Sequence, residues 1–297
     1  MKKDRKKNIF KKRAGRQRIG ALAFLSPSLI GVFLFFVLPF FVVIYYSMID
    51  NPITANFVWF ENFGKVFNNG AFKIASGNTL KFSVIAMPLS VVLGLLLAIL
   101  LDRDMPLRSQ FRTCFLTPMM VPVASVVLIF QVMFHYNGAL NRFMANFGVD
   151  KIDWLKSEYA QVVIIILFLW KNLGYNMILF LSALESIPKD ILEVATLDSA
   201  NPFQIFFKIK IRYLTSTILF VTIFSLINSF KVFREIYLLT GDYPNELYML
   251  QHFMNNTFKS LDYQKLSSAA IIMSLVMVVI IGALFMIENH FGKDVEE

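Results

Sequence analysis

The chain has 297 residues, 57% of them apolar and only 16% charged, with 32 phenylalanines and one cysteine. Soluble domains carry about a quarter charged residues, and here the apolar positions gather into blocks instead of recurring at helix or strand period. The net charge of +9 sits at the edges of those blocks without interleaved stacking aromatics, which points to anionic lipid headgroups and argues against nucleic acid as a partner.

The hydrocarbon core of a bilayer is roughly 30 Å thick and a helix rises about 1.5 Å per residue, so a span needs about 20 mostly apolar residues. Six stretches qualify: 19–46, 80–101, 113–134, 162–184, 213–233 and 269–287. Lipid offers no partner for a bare N–H or C=O, so these blocks are predicted as helices, and the alternating pattern of barrel strands is absent. The expected fold is therefore an all-α integral membrane protein of six transmembrane helices. Residues 19–287 form its membrane domain, and a short cytoplasmic helix pair lies between spans four and five.

Ten of the first twenty residues are Lys or Arg, so 1–18 reads as a basic cytoplasmic segment. Arg103, Arg108 and Arg112, then Lys189, Lys208, Lys210 and Arg212, fall on the same side. By the positive-inside rule both termini, including the tail 288–297, are cytoplasmic, and the expected location is the plasma membrane. A cleavable leader would end its shorter apolar run at small residues; here the run passes Pro39 to Tyr46 without such a site, so the first span is expected to remain attached.

In the second span Ser90, Gly94 and Ala98 form a small-xxx-small stripe suited to close helix approach. Pro118 and Pro122 should kink or break the third span, where Cys114 reads as a small core filler. The outer loop 135–160 has apolar residues at helical spacing and is expected to lie along the membrane surface.

Polar groups inside a span are costly and normally face a pathway, a partner or water. The fourth span offers Lys171, Asn172 and Asn176, and the fifth Ser225, Asn228, Ser229 and Lys231. Asn172 and Asn176 are four apart, on one helix face near Tyr175. Trp170, Tyr175, Phe230 and Phe233 place aromatic faces beside these groups. We take Lys171, Asn172, Tyr175, Asn176, Asn228 and Ser229 as the candidate substrate pathway; the competing reading is that such residues tie helices together. Lys171 admits an acidic ligand or phosphate headgroup, a carboxylate or carbonyl partner, or snorkelling, and no anionic substrate is inferred from it.

The segment 185–212, "ESIPKDILEVATLDSANPFQIFFKIKIR", is polar between two spans and reads as two short helices. Pro188 suits a first turn, and Asp190 and Glu193 complement a positive helix start. That helix runs to about Ser199. Asn201, Pro202 and Gln204 then look like N-cap, N1 and N3 of a second helix ending among Lys208, Lys210 and Arg212. The loop 238–267 is long, polar and aromatic. No phosphate loop, metal-ligand cluster or nucleophile turn occurs, so neither catalysis, nor a bound metal, nor a cofactor on this chain is expected.

The segment around Glu193 resembles the cytoplasmic signature of permease subunits of binding-protein-dependent ATP-binding-cassette importers. Its usual form is Glu-Ala-Ala, three residues, Gly, then about nine residues and Ile-x-Leu-Pro. Glu193 and Ala195 match, Asp198 and Ala200 flank the Gly position, and Ile209 and Ile211 match the distal pair. Val194 replaces an Ala, Ser199 stands at the Gly position and Arg212 at the Pro position.

The resemblance continues through Pro27, Pro39 and Ser47, "FVWFENFGKVF" with Asn78 and Thr79, "LTPMMVP", "LWKNLGYNMILFLSALESIP" and "FKVFREIYLLTGDYP", and points to carbohydrate-type importers. It implies an ATPase-coupling role for Glu193, Ala195, Asp198, Ser199 and Ala200, with ATP and Mg held by the partner ATPase. It also implies two ATPase subunits or a homodimeric ATPase, a homologous second permease, an extracytoplasmic solute-binding protein and a sugar substrate. Trp170 followed by a basic residue is common in that group, which favours a structural role for Lys171. The outer loops would receive the binding protein, the second of them serving as a gate or as an inert lid.

The alternative class is a carrier driven by an ion gradient, which would show inverted halves and acidic residues inside its spans. The six stretches contain no Asp or Glu. An importer of a non-sugar solute is the other alternative.

Overall fold

The computed structural model describes residues 24–103, 105–241 and 244–291. The predicted segment 1–18, the first five residues of the predicted span 19–46 and the tail beyond 291 lie outside them. The described residues are almost wholly helical, with one isolated antiparallel bridge between Ile49 and Phe57. They hold six runs long and apolar enough to cross a membrane. The chain divides into two compact units, one made of residues up to Val66 with Leu261–Ile272, the other of Phe67–Ser260 with the residues from Met273 onward.

In the first unit, α1 spans Phe24–Ser47. Its winding loosens to a π turn over Phe33–Val37, just before Pro39. A proline has no N–H and its ring presses on the carbonyl four residues back, which the wider turn accommodates. The loop that follows is tied by Asp50, whose carboxylate accepts from the Asn51 and Asn56 backbone N–H groups and the Thr54 hydroxyl (2.7 Å). These bonds, that from Thr54 foremost, hold the Asp50 carboxyl below its ordinary range. The Asn62 amide at the start of α2 (Glu61–Asn68) donates to the carbonyls of Ser47 and Ile49.

The second unit is organised around α3 (Gly70–Asp102) and α7 (Ala160–Glu185). Asn69 caps α3 by accepting from the Phe72 N–H. Ser90, Gly94 and Ala98 are buried where α3 meets α7, and a Cβ on Gly94 would stand 2.8 Å from that of Asn176. The stripe read from the sequence is thus a helix contact. On the other side of α7, a Cβ on Gly174 would come within 1.8 Å of the Phe115 carbonyl oxygen of α4 (Arg108–Met120). Both contacts bring backbones closer than any larger residue allows.

The third predicted span, 113–134, is not one helix. α4 ends at Met120, Val121 is extended, and Pro122 begins α5 (Val123–Phe134), while Pro118 stays inside α4. Cys114 is exposed on α4, not a core filler. A short α6 (Ala139–Ala145) lies in the outer loop. Beyond α7 come α8 (Lys189–Leu197), α9 (Pro202–Phe230), α10 (Arg234–Thr240) and α11 (Leu250–Lys259). The last helix, α12 (Tyr263–Phe291), starts in the first unit and ends in the second.

Two expectations for 185–212 change. Pro188 caps α8 from outside, at the N-cap, instead of entering its first turn. The second helix does not stop among Lys208, Lys210 and Arg212: it continues as α9 through a π turn at Phe206–Lys210 into the fifth span. No proline or glycine lies between Phe203 and Phe230, so nothing breaks it.

Candidate functional site

Polar side chains converge where α7, the end of α9 and the start of α10 meet. Lys171 lies 11 residues into α7, about 16 Å along its axis and so near the middle of the span. Helix α9 stops at Phe230, and α10 resumes at Arg234. Broken backbone at such depth persists only where protein or a wet cavity satisfies it. A cavity of about 130 Å³ lies there, lined by Lys171, Asn172, Asn228, Lys231 and Glu235 over a floor that includes Ile164 and Phe168.

The geometry sorts the predicted pathway residues into two groups. Lys171 forms an ion pair with Glu235, whose side chain is 15% exposed. The Asn172 amide donates to the Phe168 carbonyl (2.8 Å), and its Oδ1 accepts from the Asn228 amide (3.1 Å). These face the cavity. Asn176, by contrast, is fully buried between three helices, donating to Ser90 Oγ (2.6 Å) and Ser225 Oγ (3.0 Å). Ser229 is buried too, with its hydroxyl 2.8 Å from Ser83 Oγ and from the Leu226 carbonyl. Tyr175 packs on Phe224, ring centroids 4.7 Å apart. Asn176, Ser229 and Tyr175 therefore join helices, while Lys171, Asn172 and Asn228 line open space.

Glu235 is the polar cavity residue that sequence reasoning missed. Its signal was available: a lone carboxylate four residues past Lys231, in a stretch otherwise apolar and basic. Of the aromatic residues proposed beside the site, Trp170 packs edge-on against Phe130, and Phe233 stacks on Tyr237. Neither belongs to the cavity lining.

The second site is the knuckle after α7. Asp198 ends α8, and Ser199 adopts a left-handed φ of +59°. The Ser199 N–H donates to the Thr196 carbonyl and the Ala200 N–H to the Ala195 carbonyl, each at 3.0 Å. These are the two bonds of a Schellman motif, which closes the orphan carbonyls of a helix end. Asn201 and Gln204 then form the predicted capping box, with reciprocal bonds of 2.8 and 2.9 Å.

Glu193, Asp198 and Ser199 point to solvent and Ala200 is half-buried, but Ala195 is only 8% exposed and faces its own chain. The apolar surface of the knuckle comes from Val194, Leu197 and Phe203, the last two 83% and 76% exposed. At the base of the knuckle, Lys210 pairs with Asp102 (2.6 Å) and Arg108 with Glu185 (2.7 Å), fastening α9 to α3 and α4 to α7.

Six apolar runs, a polar cavity at mid-span and a capped turn projecting from the helices define a multi-pass membrane transport subunit. The sequence profile of the binding-protein-dependent transport system inner membrane components matches residues 90–297, and the chain belongs to that family.

It is 30% identical over 283 residues to the multiple sugar-binding transport system permease protein MsmF of Streptococcus mutans, covering 92% of this chain and 95% of that one. It is 28% identical to the sulfoquinovosyl glycerol transport system permease protein SmoG of Agrobacterium fabrum, covering 86% of each. The trehalose/maltose transport system permease protein MalF of Thermococcus litoralis is 27% identical, over 93% of this chain and 95% of that one. The fold matches a chain of a bacterial ABC transporter involved in the import of the acidic polysaccharide alginate, with a TM-score of 0.81 at 20% identity over 96% of this chain and 99% of that one.

Proposed function

We propose that this chain is the permease of an ATP-driven importer of a sugar or oligosaccharide, supplying half of the pathway beside a homologous second permease. The observation that carries the reading is that several of its relatives, matched over most of their length, are permeases whose names specify sugars or glycosides. A site for a polyhydroxylated solute needs donors and acceptors at mid-span, and the Lys171, Asn172, Asn228 and Glu235 cavity supplies both. In this reading the solute meets that cavity, and Asn176, Ser229 and Tyr175 hold its walls in place.

Energy enters from a separate ATPase that holds ATP and Mg and grips the knuckle on its exposed face: Glu193, Asp198 and Ser199, with Val194 and Leu197 between them. Ala195 and Ala200 serve as the packed underside of that face. Both termini and the knuckle are cytoplasmic, as the charge distribution directs. A solute-binding protein delivers the sugar at the opposite side, in keeping with a fold shared with an alginate transporter that was solved in complex with its saccharide-bound periplasmic protein.

The test is uptake into proteoliposomes of the complex assembled with its ATPase, second permease and binding protein. We expect accumulation of a saccharide against its gradient only with ATP inside. Uphill uptake by vesicles lacking the ATPase would instead identify an ion-driven carrier and overturn the reading.

A further inference from the structure

The charges lining the mid-span cavity do not balance. Two ammonium groups, Lys171 and Lys231, and one carboxylate, Glu235, contribute to its wall. Glu235 is taken by Lys171. Lys231 is exposed, and none of the ion pairs formed by the described residues includes it. The neutral amide oxygens carry no charge to offset it, and that of Asn172 already accepts from the Asn228 amide.

The remaining sink for the Lys231 charge is the end of α9, where its own N–H bonds the Asn228 carbonyl. A helix end carries a partial negative charge of about half a unit that fades within a turn. The cavity therefore keeps a positive surplus, which water meets while the cavity is open and which an anionic group on a passing solute would meet in its place.

We propose that the solute passing this cavity is an acidic saccharide, carrying a carboxylate, sulfonate or phosphate, and that Lys231 selects for that group. This rests on the reading of the cavity as part of a sugar pathway. Within it the roles divide. The Lys171–Glu235 pair cancels itself and fixes the geometry, the Asn172–Asn228 pair offers hydrogen-bonding edges to hydroxyls, and Lys231 supplies the charge that a neutral sugar would leave unmet. Discrimination against the neutral analogue follows from desolvating that ammonium with nothing to replace its water.

The experiment uses the complete reconstituted importer with its binding protein. ATP-dependent uptake is compared for oligogalacturonates and sulfonated or phosphorylated glucosides, each against its neutral counterpart, in vesicles of zwitterionic lipid and of lipid containing phosphatidylglycerol. The expected result is a preference for the acidic member of at least one pair. It should fall about tenfold in Lys231→Gln and survive in Lys231→Arg, in both lipids.

Uptake of neutral saccharides with equal or better efficiency overturns the charge assignment and leaves the sugar pathway standing. Uptake of no saccharide of either kind overturns both. An acidic preference that Lys231→Gln leaves intact overturns the role of Lys231. A Lys231→Gln defect that is equal for neutral and acidic solutes, and confined to vesicles with anionic lipid, assigns the ammonium to headgroups and overturns the proposal as well.

Discussion

Ser199 occupies the position where a glycine would turn the chain without strain, and it turns there all the same, with φ at +59°. The left-handed conformation costs a residue with a Cβ about 1 kcal/mol. The two Schellman bonds and the Asn201 capping box on either side hold it there. Ser199→Gly should relieve that strain and raise the unfolding midpoint of the purified protein by about 2 °C, with Ser199→Val lowering it.

His252 gives a second prediction at this scale. It is fully buried at the start of α11, where its Nδ1 accepts the Met249 N–H, and burial pushes its pKa down to about 4. The folded state favours the neutral ring, so between pH 6.5 and 4 the unfolded chain takes up a proton that the folded one does not. Stability is full above that window and declines as pH falls through it, by at most about 3 kcal/mol. A midpoint recorded against pH should show this slope, and His252→Gln should flatten it.

Individual residues were also where the sequence was hardest to read. Spacing alone put Asn172 and Asn176 on one face, yet one residue lines a cavity and the other is a fully buried tie. Which of them meets open space depends on Gly94 and Gly174 letting α3 and α4 close on α7, and spacing within one helix does not carry that information.

At the scale of elements, those two glycines set the helix spacing. Relief of a backbone clash as close as that at Gly174 requires α4 and α7 to separate, since no rotamer change moves a carbonyl. Gly174→Ala should therefore cost about 3 kcal/mol or more. It should appear as a loss of monodisperse protein in detergent together with a lowered unfolding midpoint.

The six apolar blocks, the stripe on α3 and the capping box were legible because each follows from local chemistry: block length against bilayer thickness, small residues at a four-residue repeat, side chains that reach their own backbone. The break at Val121 and Pro122 was legible as a possibility at two prolines, of which only one broke the helix. The continuity of α9 was missed because polar and basic residues at 208–212 look like a helix end. They are satisfied instead by partners remote in sequence, as Asp102 shows for Lys210.

For the whole molecule, the outward faces of the first and last helices decide its surroundings. Phe24, Phe35 and Phe36 on α1 are 91%, 77% and 72% exposed, and the most apolar stretches of α1 and α12 have no buried residues. A soluble protein does not present such surfaces, so lipid or another subunit must cover them. If an ATPase grips the knuckle at Glu193, then Glu193→Lys should reverse a contact charge on a residue that bears no internal load. We expect the assembled complex to go on hydrolysing ATP while solute uptake drops severalfold. Unchanged coupling would remove Glu193 from the contact.

The unbroken course of α9 has a mechanical consequence. Pro202–Phe230 is a single rod of roughly 43 Å, with the knuckle at one tip and Asn228 near the other. A push below Asn201 would travel to the cavity wall along one continuous helix, with the five π-wound residues at Phe206–Lys210 as its place to flex.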